Sequence, residues 1–185
     1  KKHLYSPNLQ RELIESFQID NKHFHKALAG RYPKEEKSTK IFPPQKDQKE
    51  IEEYAERINF REHTYFNPIV FHYLYYYEPS KLKWFLEKHF YNKKILYIGS
   101  VKSEKLTGLL GKKADFELIT TSDNSYNHIE LIWEYVQRVL KEKEVNIILP
   151  AIGVATRVLQ KRLLSLNLPK IKSIDLGSII DCEAG

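Results

Sequence analysis

Two carboxylates near the C-terminal end of the sequence are placed to act on one ligand. Asp175 lies in the run Ser173-Ile174-Asp175-Leu176, and Asp181 follows the Gly177-Ser178 turn. Carboxylates so placed can bind a divalent metal, orient a sugar hydroxyl or act as a base. Asp175 and Asp181 are therefore the candidate catalytic residues, although a capping or turn hydrogen bond is an equal alternative for Asp175. Upstream, Gly153 opens a helical run whose first backbone N–H groups and dipole suit a phosphate. Arg157, one turn into that helix, is placed to reach a diphosphate or to be a solvated flank, in equal measure. Lys161 is a weaker candidate, and Arg162, nearer the apolar arc, reads as a structural ion-pair partner. Gly99-Ser100 stands where nucleotide-binding folds keep a glycine loop, but one glycine is not the three of a dinucleotide fingerprint.

Metal ligands remain unassigned. The triplets Asp115-Phe116-Glu117 and Asp181-Cys182-Glu183 would each put two carboxylates on one face of a strand. Such triplets arise easily by chance, and the first is discounted. His23-x-His25 has no third ligand at metal-site spacing. No G-x-S-x-G nucleophile motif occurs, and acidic neighbours disfavour a Cys182 thiolate.

The elements that must position these residues alternate from Lys94 onward. Ile95–Ile98 is a strand, Glu104–Leu110 a short helix ending at Gly111, and Phe116–Thr120 a second strand. After a polar loop, Ile129, Ile132, Trp133, Val136 and Leu140 mark one face of a long helix. Val145–Leu149 is a third strand, Val154–Leu166 a helix, and Ser173–Leu176 a fourth strand. This alternation calls for an α/β fold: a Rossmann-like parallel sheet flanked by helices, with ligands at the carboxyl ends of its strands. Residues 93–185 form that α/β part. Residues 1–92 form a helical N-terminal part, with an amphipathic helix over Asn8–Gln18, a short helix through His23–Leu28 and a Pro-rich, charged loop near 32–49. Helical spacing follows at Ile51–Ile58, and a helix opens at Pro79 and ends by Asn92. The aromatic belt of Tyr65, Phe66, Phe71, Tyr73, Tyr75, Tyr76 and Tyr77 is expected to be core rather than a stacking surface. The two parts are expected to form one compact unit.

Composition bounds the function. The 185 residues carry a formal charge of +6 and 42% apolar residues, as a soluble globular protein does. The charge suits a phosphate-bearing ligand or an anionic lipid surface; its scatter in pairs disfavours nucleic acid. No apolar run approaches the roughly 20 residues of a spanning helix. One cysteine, Cys182, fits a reducing compartment, so a cytoplasmic location is expected, with peripheral membrane association compatible. With no methionine and a Lys-Lys start, residues upstream of Lys1 are expected.

The C-terminal half resembles a known family. The run from Ile147 to Leu159 through Pro150-Ala151-Ile152-Gly153, then Ile174-Asp175-Leu176-Gly177-Ser178, is similar to the closing segment of GT-D-type glycosyltransferases. Lys94–Gly99, and Asn124-Ser125-Tyr126 before a long helix, follow the family's upstream order. The resemblance implies a Rossmann-like enzyme that moves a sugar from a nucleoside diphosphate sugar, UDP-linked, to an acceptor hydroxyl on a glycan, glycoprotein or lipid-linked molecule. It implies a divalent cation, Mn2+ or Mg2+. Gly153 and its helix would face the donor, Asp175, Gly177 and Ser178 would line the sugar pocket, and Asn124 and Tyr126 would flank the nucleotide; Gly99, Ser100 and Arg157 join the donor-binding candidates by their positions, a plain strand-to-helix turn being an equal alternative for Gly99-Ser100. The family's acidic D-x-E element belongs just ahead of a helix like Asn8–Gln18, and nothing in Lys1–Pro7 matches it. That places the metal ligands upstream of residue 1 or marks a relative that has lost them. In the second case the alternative is a non-catalytic ligand-binding or interaction domain of the same fold.

Overall fold

The computed structural model describes residues 6–25, 70–121, 123–176 and 179–180. The expected loop near 32–49, the helical run at 51–58, Tyr65, Phe66, Gly177, Ser178, Asp181 and the Asp181-Cys182-Glu183 triplet lie outside the described residues. So does the short helix beyond His25. Residues 23–25 themselves are not helical, because the Asn21 side chain closes a turn onto the His23 N–H at 2.8 Å.

Four parallel strands form the centre: β1 (Ile95–Gly99), β2 (Phe116–Ile119), β3 (Ile147–Ala151) and β4 (Lys172–Ser173), in the order β2-β1-β3-β4. The central strands β1 and β3 are buried along their whole length, as the unbroken apolar runs Ile95–Gly99 and Ile147–Ala151 require. Their side chains alternate between two clusters. Leu96, Ile98 and Ile148 face one layer, and Ile95, Tyr97, Ile147 and Leu149 face the other.

The first layer holds α1 (Pro7–Gln18), α5 (Ile129–Glu142) and α6 (Ala155–Ser165). The second holds α2 (Val70–Tyr77), α3 (Pro79–Phe90) and α4 (Thr107–Leu110). Crossover hand explains the split. The chain steps outward from β1 to β2 and then back over β1 to β3, and right-handed crossovers in opposite directions put their helices on opposite faces. Local signals set the ends. Ser6 caps α1 by accepting the Leu9 N–H at 3.4 Å, Pro7 and Pro79 occupy first turns, and Gly111 closes α4 at φ 73°.

Two expectations are corrected. The fourth strand, expected over Ser173–Leu176, pairs only at Lys172–Ser173. Pro150 is the cause. Asn146 and Ile148 turn their carbonyls to β4, accepting the Lys172 and Ile174 N–H groups at 3.0 Å each. Pro150 has the same parity and no N–H to give, so the ladder stops there. The aromatic belt is also only half core. Phe71, Leu74 and Tyr75 pack on the second layer, whereas Tyr73, Tyr76 and Tyr77 are about half exposed.

Candidate functional site

The carboxyl rim is built from the ends of the strands. β1 delivers Gly99 and Ser100, and β3 delivers Ile152 and Gly153. The order β2-β1-β3-β4 reverses between β1 and β3, so those two glycine turns flank the switch-point crevice where open α/β sheets take ligands. Gly153 is exposed at φ 63°, in the left-handed region that glycine enters without strain. Its carbonyl accepts the Thr156 N–H at 3.0 Å. The buried Thr156 hydroxyl in turn accepts the Ile152 N–H at 3.4 Å, fixing the turn from strand into α6.

Gly99 has a packing role that sequence reasoning missed. A Cβ there would overlap the Tyr97 ring, meeting its Cζ at 2.5 Å and its hydroxyl closer still. Tyr97, fully buried two residues back on the same face, folds over the glycine. The sequence signal was available in the i, i+2 spacing of tyrosine and glycine.

Past the end of the β4 ladder, Asp175 is exposed while Leu176, Ile179 and Ile180 turn into the second layer. His72 of α2 lies within electrostatic reach of Asp175: burial lowers the imidazole's pKa and the Asp175 charge partly opposes this. His72 sits among aromatics, and no sequence spacing marked it.

The basic residues of α6 turn toward α1. The Arg157 guanidinium stacks 5.5 Å over the Phe17 ring. Lys161 Nζ bonds Glu12 Oε2 at 3.0 Å and Glu15 Oε2 at 2.6 Å. Arg162 holds Glu130 in a two-point grip at 2.7 and 2.9 Å and also reaches Glu12 Oε1 at 3.2 Å, so it is the ion-pair partner its position suggested. Tyr126, expected to flank a nucleotide, donates its hydroxyl to Glu12 Oε1 at 3.1 Å. Burial, then this bond to the Glu12 carboxylate, raises the phenol's pKa. Burial opposes ionisation of Glu12, yet Lys161 and Arg162 hold its carboxyl below the usual range. Asn124, half-buried at φ 53°, precedes the short turn Ser125–His128, where the buried Ser125 hydroxyl donates to the Thr121 carbonyl at 2.9 Å.

The discounted triplet is structural. Asp115 accepts the Ile95 N–H at 3.0 Å, Lys94 Nζ at 3.1 Å and Lys112 Nζ at 2.7 Å, at the amino end of the sheet. Burial pushes against ionisation, but Lys112 and the Ile95 N–H bring the carboxyl down to about 2. Glu117 accepts the Ser103 N–H at 3.0 Å. Among the described residues no group of three or more His, Cys, Asp or Glu side chains could hold a metal ion. A cleft of about 750 Å³ between Asn21–His25 and the segment Asn167–Ile174 contains none of the expected donor residues.

This arrangement, a four-stranded parallel sheet between two helical layers with its glycines at the switch point, defines a Rossmann-like α/β fold. The particular fold is that of the solved DUF1792 structures. One, described as having a distinct glycosyltransferase fold, superposes with TM-score 0.68 at 16% identity over 96% of this chain. Another, described as a new glycosyltransferase (DUF1792) from Streptococcus sanguinis, gives TM-score 0.69 at 18% identity over 95% of this chain. At such identities the likeness is one of fold, and it matches the fold that the sequence resemblance implied. The chain spans about two-thirds of these neighbours, 65% and 67% of their lengths. No family model and no curated protein matches it.

Proposed function

We propose that this chain is a glycosyltransferase domain that binds a nucleoside diphosphate sugar, UDP-linked, in the crevice between the β1 and β3 turns and passes the sugar to a hydroxyl of a glycan, glycoprotein or lipid-linked acceptor. The observation that carries the reading is the reversal of strand order between Gly99-Ser100 and Gly153, in a fold shared with proteins described as glycosyltransferases. Glycosyl transfer needs the charge on the departing diphosphate stabilised and the acceptor hydroxyl oriented or deprotonated. The first task falls to the Gly153 turn, the start of α6 and Arg157, once its stacking on Phe17 is exchanged for phosphate. The second falls to Asp175, exposed beyond β4. On the sequence resemblance, Asn124 and Tyr126 are assigned to the nucleotide and Gly177 and Ser178 to the sugar pocket, and Asp181 is the second candidate base beside Asp175.

A divalent cation, Mn2+ or Mg2+, belongs to this proposal only through residues beyond those described, Asp181 or ligands upstream of Lys1. The described carboxylates do not form a set for it. Calorimetric titration with UDP, UDP-glucose and a control mononucleotide, with and without manganese, tests the reading. Micromolar binding of the diphosphates, about −8 kcal/mol, weakened in Arg157→Ala, is the expected result. Absence of nucleotide binding would overturn the donor site and leave the non-catalytic domain as the reading of this fold.

A further inference from the structure

The outer face of the second layer carries a strip that the donor site does not use. On α3 and its C-terminal extension, Lys81, Trp84, Lys88 and Tyr91 recur at i, i+3, i+7 and i+10, opposite the buried Leu82, Leu86 and Phe90. On α2, Tyr73 and Tyr77 stack at 5.2 Å, and Tyr73 lies within electrostatic reach of Lys81. Phe71 and Phe85, 5.7 Å apart, pin the two helices together on the inner side. The four outward aromatics, Tyr73, Tyr77, Trp84 and Tyr91, are each between 49% and 59% exposed, and Lys88 Nζ sits 4.6 Å over the Trp84 ring.

Charge is distributed to match. Residues 70–115, which supply this layer, carry nine lysines against four carboxylates, whereas residues 6–25 and 116–176 together carry ten basic against ten acidic residues. The net positive charge of the described residues therefore comes from the stretch that bears the strip, although Lys94 and Lys112 of that stretch are held by Asp115 and Lys81 pairs with Glu78. Protein-binding patches concentrate aromatics at a core depleted of lysine. Tyrosine and tryptophan interleaved with lysine is the composition of the headgroup zone of a bilayer, where rings sit at the interface and ammonium groups meet lipid phosphates.

We propose that the α2–α3 face docks on anionic lipid bilayers, with Trp84, Tyr91, Tyr73 and Tyr77 at the headgroup level and Lys81, Lys88 and the surrounding lysines facing anionic headgroups. This surface does not depend on the donor-site reading. No helix among the described residues is long and apolar enough to cross a membrane, and the docking is peripheral.

The test is cosedimentation of the chain with vesicles of phosphatidylcholine alone or with about one-third phosphatidylserine, at low and high salt. The expected result is partition at least tenfold greater onto the anionic vesicles, falling with salt. Brominated acyl chains should quench Trp84 fluorescence, an effect lost in Trp84→Ala. Lys88→Glu and the pair Trp84→Ala, Tyr91→Ala should each lower partition by about tenfold while circular dichroism stays unchanged, since all three side chains are exposed. Equal partition onto neutral vesicles, or variants that bind as the parent does, overturns the proposal. Concentration-dependent self-association that Trp84→Ala abolishes, without lipid binding, would overturn it and give the strip to a second copy of the chain.

Discussion

Replacing Asp115 with asparagine separates a structural carboxylate from a metal ligand. The side chain is 17% exposed and receives Lys94, Lys112 and the Ile95 N–H. Holding the carboxyl at about 2 instead of 3.8 corresponds to roughly 2 kcal/mol of stabilisation of the ionised folded state, at about 1.4 kcal/mol per tenfold change in proton affinity. A depressed folded pKa gives stability that is fully present above the unfolded value and is lost as pH falls through the folded one. Asp115 therefore contributes all of it at pH 7, about half near pH 3 and almost none below pH 2. Asp115→Asn should lower the unfolding free energy by about 2 kcal/mol at pH 7, measured by urea titration. The gap between parent and variant should narrow between pH 5 and pH 3. Affinity for manganese should not change. A gap of constant size across that range, or a loss of manganese binding with stability intact, would refute the structural assignment.

Gly99→Ala should cost about 1–3 kcal/mol through overlap with Tyr97, even without nucleotide, read by thermal or urea unfolding; unchanged stability would return Gly99 to a purely ligand-facing role. Glu12→Gln, which strips Lys161 and Arg162 of a shared partner, should destabilise by about 2 kcal/mol, checked by the same titration. Gly153→Ala, forced to hold φ 63°, should lose about 1 kcal/mol of stability as well as diphosphate affinity, separable by unfolding and calorimetry.

The sheet was legible because its strands are unbroken apolar runs and its helices carry one apolar face each, as Ile129, Ile132 and Val136 do in α5. The fourth strand was misjudged at its end because the limit is set by Pro150 on the neighbouring strand, a pairing that the sequence does not display. The rim glycines were found by type, but the reason for Gly99 lay in a ring folded over it from two residues away. Arg157 and Tyr126 were identified by position, whereas their contacts with Phe17 and Glu12 depend on where α1 docks, more than 100 residues distant in sequence. His72 was missed because its neighbour Asp175 comes from the other end of the described chain.

The docking of α1 also bears on how the protein is made. Glu12 and Glu15 find Arg162 and Lys161 across separations of 150 and 146 residues. At ribosomal rates of about 5–20 residues per second, roughly 8–30 s pass between the emergence of α1 and that of its partners. A 12-residue helix is marginal alone in water, so Leu9 and Leu13 wait uncovered while β1 and β2, about 20 residues apart, are already able to pair. Helix α1 is thus made about 150 residues before the ion-pair partners that lock it, and that interval is when a nascent-chain chaperone has its opening.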